Sequence, residues 1–123
     1  VSAAPVETGA ATRKLVKEQY ENIPRRVLQD SRISLRALGV LVLLLSMPEG
    51  WRTSATKIAG SRKEGRDAIE TALKELVAVG YLARHRVQYK NGTWGWVWLY
   101  GVDPEYVAQE AEAELERLRF SAA

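Results

Sequence analysis

The apolar positions change period along the chain, and the changes mark its elements. Residues 1–12 show no apolar period and contain Pro5 and Gly9, so residues 1–14 are expected to be a disordered lead. Residues 15–23 read as extended, with Tyr20 and Ile23 as anchors, and Pro24 opens a short turn through Arg25, Arg26, Val27 and Leu28. Ser34 is a suitable N-cap for a helix over 35–46. That helix is apolar nearly all round, the pattern of a helix in the middle of a core, and Pro48, Glu49 and Gly50 end it. Thr53 or Ser54 caps a short helix over 55–59 with Ile58 facing inward, and 60–65 is a turn. A third helix over 66–79 places Ile69, Ala72, Leu73, Leu76 and Val77 on one face, and Gly80 stops it. The period then falls to two. Residues 81–90 and 93–100 alternate on either side of Asn91-Gly92, a strong short hairpin signal. Asp103-Pro104 starts a last helix to about residue 119, with an apolar stripe at Val107, Ala111, Leu115 and Leu118 and Phe120 beyond it.

A two-residue turn at Asn91-Gly92 would pair Tyr89 with Trp94, Val87 with Trp96, His85 with Trp98 and Ala83 with Tyr100. One hairpin face would then be aromatic and the other would carry Arg84, Arg86 and Lys90. So much apolar surface is expected to pack on the helices, the last one included. A self-association surface and a base-stacking platform are the other uses of such a strip.

At 123 residues, 46% hydrophobic and 27% charged, the composition is that of one globular domain. The absence of cysteine excludes a disulfide scaffold, a thiolate zinc site and a thiol nucleophile. A single histidine, His85, makes a histidine metal cage or a Ser-His-Asp triad hard to assemble, and a packed side chain is its expected role. The longest apolar run, 37–45, is about half of a bilayer span. With no leader pattern at the start, a cytoplasmic, nucleoid-associated location is expected. Gly60 and Gly65 have the spacing of a phosphate-binding loop but lack its Lys and Ser/Thr, and no strand precedes them. The glutamates of the last helix read as a solvated face rather than acid–base machinery. No enzyme, cofactor or metal is expected. The total charge of +3 is uneven: residues 1–102 hold 16 basic and 9 acidic side chains, and residues 103–123 hold 2 and 6. The basic excess belongs to the body that precedes the last helix.

Helix, short helix, turn, amphipathic helix and basic hairpin follow in the order of a winged helix-turn-helix. A helix of 14 residues fits the major groove of B-DNA, and a basic hairpin can straddle the backbone beside it. On the third helix Arg66, Asp67, Glu70, Thr71 and Lys74 are expected to face outward. Ser61, Arg62 and Lys63 precede it, near amides that favour phosphate. Arg66 is the candidate reader of guanine, Thr71 a contact to a thymine methyl or a phosphate, and Lys74 a phosphate contact. Asp67 and Glu70 oppose phosphate; they could accept from cytosine or pair with Arg66 and Lys74, the Glu70–Lys74 spacing being favourable. Arg84, Arg86 and Lys90 are the expected phosphate anchors of the hairpin, with Arg25 and Arg26 as a lesser flank.

Ile33-Ser34-Leu35-Arg36-Ala37-Leu38, Ile58-Ala59-Gly60, Ala68-Ile69, Ala72-Leu73-Lys74-Glu75-Leu76 and Gly80-Tyr81-Leu82 resemble bacterial winged helix-turn-helix domains. The nearest are those at the front of plasmid and phage replication initiators and replisome organisers, and small regulators of mobile elements. The resemblance covers roughly residues 20–100, with Gly65 where that family usually caps its reading helix with Ser or Thr. It implies an α+β fold, a three-helix core plus a β-hairpin wing over 15–102; it does not extend to the C-terminal amphipathic helix over 103–120, which is read from Asp103-Pro104 and the apolar stripe alone. It implies sequence-specific binding of double-stranded DNA, as a transcriptional regulator or as an origin-binding module. A homodimer is the expected assembly, and the stripe Val107, Ala111, Leu115 and Leu118 is expected either to pack back onto the body or to pair with a second copy. A protein–protein interaction module on the same fold is the competing class.

Overall fold

The computed structural model describes residues 11, 21–48, 50–89 and 91–121, with side chains as far as Arg117. The expected lead over 1–14, the anchor Tyr20 and the hairpin residue Lys90 fall outside these, Ala11 excepted. The chain is mixed helix and sheet: α1 (Arg25–Leu28), α2 (Leu35–Ser46), α3 (Ala55–Gly60), α4 (Arg66–Val79), β1 (Leu82–Gln88), β2 (Trp94–Tyr100) and α5 (Pro104–Ser121). The strands form one antiparallel hairpin.

Local chemistry accounts for the helix limits. The Ser34 hydroxyl accepts from the Ala37 amide at 3.1 Å and caps α2. The Ser34 amide and hydroxyl also donate to the Glu75 carboxylate at 2.8 and 2.9 Å, which ties the start of α2 to α4. Ser54, rather than Thr53, caps α3 by accepting from the Lys57 amide. Gly80 ends α4 in the left-handed region, at φ +104°, where its amide and that of Tyr81 both donate to the Leu76 carbonyl.

The core lies where α2 and α4 cross, closed below by α3 and at one end by the root of the hairpin. Ala37, Val40, Leu41 and Leu44 of α2 meet Ile69, Ala72, Leu73 and Leu76 of α4, with Val27, Ile33, Ile58, Tyr81 and Leu82 filling between them. The Tyr81 hydroxyl donates to Asp30 at 2.7 Å, and Arg32 grips the same carboxylate through its amide and guanidinium. This joins the α1–α2 connection to the start of β1.

Two expectations about helix faces are corrected. α2 is not buried all round. Its far side, with Leu35 at 87% exposure, Gly39 and Ser46, faces outward, because a single layer of helices covers only one side of it. Val77 of α4 is 42% exposed rather than part of the core, since it lies toward the flank that faces the hairpin cleft.

The hairpin register differs by one residue from the expected pairing. Gln88 pairs with Trp94, Arg86 with Trp96, Arg84 with Trp98 and Leu82 with Tyr100. Tyr89 and Thr93 flank the turn: the Tyr89 amide donates to the Thr93 carbonyl and the Gly92 amide to the Tyr89 carbonyl. Gly92 takes φ +85°, so the turn spends one more residue than a two-residue loop. A one-residue slip of one strand against the other exchanges the faces that meet. The arginines therefore share a face with the tryptophans, and the separate basic and aromatic faces do not exist.

The opposite hairpin face, Ala83, His85, Val87, Val97 and Leu99, lies against α5. Val107 and Ala111 of α5 are buried, as is Val87. Among the described residues no helix is long and apolar enough to cross a membrane.

Candidate functional site

The outward side of α4 and the arginine–tryptophan face of the hairpin meet in an open cleft of about 640 Å³. Arg66, Glu70, Lys74 and Val77 come from α4, Arg84, Trp96 and Trp98 from the hairpin, and Thr53, Ser54 and Thr56 from the start of α3. The helical period explains the first set. Ile69, Ala72, Leu73 and Leu76 turn into the core, which leaves Arg66, Glu70 and Val77 on the hairpin flank and Asp67, Thr71 and Lys74 on the outermost line.

Within the cleft the charges are partly paired. Arg84 donates to Glu70 at 2.8 Å, and both side chains are largely covered. The Arg84 guanidinium beside Glu70 holds that carboxyl below its ordinary range, against the opposing effect of burial. The expected Glu70–Lys74 pair is thus replaced by a bond across the cleft to β1. Arg84 also lies over the Trp98 ring at 5.5 Å, and Arg86 over Trp94 at 4.8 Å. Arg66 is exposed and donates from Nε to the Thr56 hydroxyl at 3.2 Å, which leaves its terminal nitrogens facing solvent. The Thr53 hydroxyl, at the cleft wall, is buried without a hydrogen-bond partner.

Not every residue singled out by sequence joins this cleft. Arg66, Lys74 and Arg84 do, and Arg86 continues the same hairpin face toward the turn. Asp67 and Thr71 are exposed on α4, the Thr71 hydroxyl donating to the Asp67 carbonyl. The Ser61 hydroxyl donates to the Ile58 carbonyl, so its proton is committed within the chain. Arg62 lines a second groove, beside the outer side of α2, and Lys63 is exposed in the intervening turn. Lys90 lies outside the described residues. Arg26 donates to the Val102 carbonyl at 2.7 Å and buttresses the β2–α5 junction instead of forming a free flank.

Of the expected dimer stripe, Val107 and Ala111 pack within the chain, Leu115 is half-buried, and the side chain of Leu118 is outside the described set. Among the described residues no three His, Asp or Glu side chains converge as a metal ion would require. The residues that sequence reasoning missed are Thr56, which positions Arg66, and Trp94, Trp96 and Trp98 as companions of the arginines. Only the correct register reveals the tryptophans. No protein family, curated protein or solved structure matches the chain.

Proposed function

We propose that the protein binds double-stranded DNA as a winged helix-turn-helix, with α2, α3 and α4 as the three-helix core, the hairpin as the wing and α5 as an addition. The observation that carries this reading is the convergence of Arg66 and Lys74 from α4 with Arg84 from β1 on one cleft, continued by Arg86 along the hairpin. α4 is 14 residues long, about 21 Å, and an α-helix fits the roughly 12 Å major groove. Its outermost line would face base edges, with Arg66 held at the hairpin flank by Thr56 and reaching guanine O6 and N7. Lys63, Lys74 and Arg86 are the exposed cations placed to meet phosphates on either side. Arg84, bonded to Glu70, acts first as a brace that sets the hairpin against α4. A transcriptional regulator is the role favoured for this binding, and the origin-binding module of a replication initiator uses the same contacts.

Binding to genomic duplex fragments at low and moderate salt tests the reading. Arg66→Ala is expected to relax sequence preference and cost about 1–3 kcal/mol on the preferred site. Equal loss on all sequences would remove Arg66 from base reading. Arg86→Ala is expected to weaken binding uniformly and flatten the salt slope by about 0.9. Failure of the wild type to bind any duplex, with a stable hetero-complex by light scattering, would favour a protein-interaction module.

A further inference from the structure

Trp94 and Trp96 are the least expected residues on the surface. They are 55% and 62% exposed, next to each other on one face of β2, while Trp98 and Tyr100 of the same face are half-buried against the core. Exposed tryptophan in water is unfavourable, and α5 does not relieve it, because α5 covers the opposite hairpin face. Duplex DNA does not use such rings well either, since paired and stacked bases hide their π-faces. Unpaired bases offer those faces.

We infer that the outer hairpin face is a stacking platform for single-stranded DNA. Three observations support that occupant. The platform is cationic: Arg86 lies over Trp94, and the adjoining cleft holds Arg66, Lys74 and Arg84 against one carboxylate, Glu70, already bonded to Arg84. Alternate residues of a strand repeat at roughly 6.7 Å, two steps of a 3.4 Å base stack, so Trp94 and Trp96 match successive or alternate bases of one strand. The cleft beside Trp96 is open and about 640 Å³, room for an unstacked base. The inference rests on the duplex-binding proposal in one respect: it sets the unpaired strand beside the helix that would hold the duplex.

The test titrates labelled dT15 and a labelled 15-base-pair duplex in parallel, by anisotropy, against the full chain. Wild type is expected to bind dT15. Trp94→Ala/Trp96→Ala should weaken dT15 binding at least tenfold, a larger loss than the same variant shows on the duplex, and Trp94→Phe/Trp96→Phe should restore most of the loss, because any aromatic face stacks. Arg86→Ala should lower the single-strand salt slope by about 0.7. Both tryptophans are surface residues, and thermal unfolding of each variant verifies its fold. No binding of dT15, or equal binding by the double alanine variant, overturns the inference. So does dissociation of a wild-type dimer by the alanine pair, which would make the platform a contact between copies. Duplex binding without dT15 binding removes the platform and keeps the proposed function; the reverse result removes the duplex reading alone.

Discussion

At Gly80 the backbone turns through φ +104° to end α4, and the Cβ of Pro104 stands 2.9 Å from where a Gly80 Cβ would lie. A side chain there meets both a strained backbone and the rigid ring that starts α5. Gly80→Ala is expected to cost about 2 kcal/mol or more and to lower the melting temperature by on the order of 10 °C. Thermal unfolding by circular dichroism checks it, and an unchanged transition would mean that the α4–α5 contact yields freely. Glycine at this position was legible from the helix period, but its contact with Pro104, 24 residues away, was not. Glu70 gives a second prediction. Its carboxylate occupies Arg84, so Glu70→Gln should free that guanidinium for phosphate. Tighter duplex binding with a salt slope steeper by about 0.9 is the expected result. An unchanged slope would show that Arg84 serves only as the brace. The sequence offered Lys74 as the partner of Glu70 because i, i+4 neighbours are visible along a helix, whereas Arg84 arrives from another element.

Among the elements, α2 was the most legible and still partly misread. Its cap, its length and its inward residues follow from Ser34 and the apolar period, and the structure has them. Its burial on all sides does not hold, because hydrophobicity states what an element tolerates and the number of neighbouring elements states what covers it. Ser34 does more than cap. Ser34→Ala removes the acceptor for the Ala37 amide and one of the two Ser34 donors to Glu75. A loss of about 1–2 kcal/mol in urea denaturation with an unchanged m-value is expected. A smaller loss would assign the α2–α4 tie to packing alone. The hairpin teaches the opposite lesson. Both strands and the turn were legible from alternation and Asn91-Gly92, yet one residue of turn geometry decided which faces met. Gly92 at φ +85° supplies that residue. Tyr89 lies across Gly95, where a Cβ would come within 2.6 Å of the ring, so the glycine inside β2 has a cross-strand reason that alternation alone could not show.

Across the whole molecule, carboxylates held by ion pairs set an acid limit to stability. Arg32 and Tyr81 hold the Asp30 carboxyl far below the usual carboxylate range. Arg84 and Arg117 lower Glu70 and Glu114. A carboxyl whose folded pKa is depressed contributes stability above its unfolded value and loses it as pH falls through the folded one. Melting temperature is therefore expected to stay level from neutral pH to about 5 and to fall from about pH 4 downward. Asp30→Asn should lower the plateau and shrink the fall; a variant with the wild-type acid profile would exclude Asp30 from the effect. The charge division between residues 1–102 and 103–123 was readable from composition, and α5 does present exposed glutamates while Val107 and Ala111 turn to the hairpin. Cap residues, apolar periods and breaker positions act within one or two helical turns, so the amino-acid order alone settled the elements other than α1, which reads as a turn, their order, most of the core and the outward set on α4. Three matters required the folded chain: the strand register, the partner of Glu70, and the side of the hairpin that α5 covers. The register turns on one residue of turn geometry, whose shift exchanges the strand faces without altering the alternation, and the other two depend on contacts between separate elements.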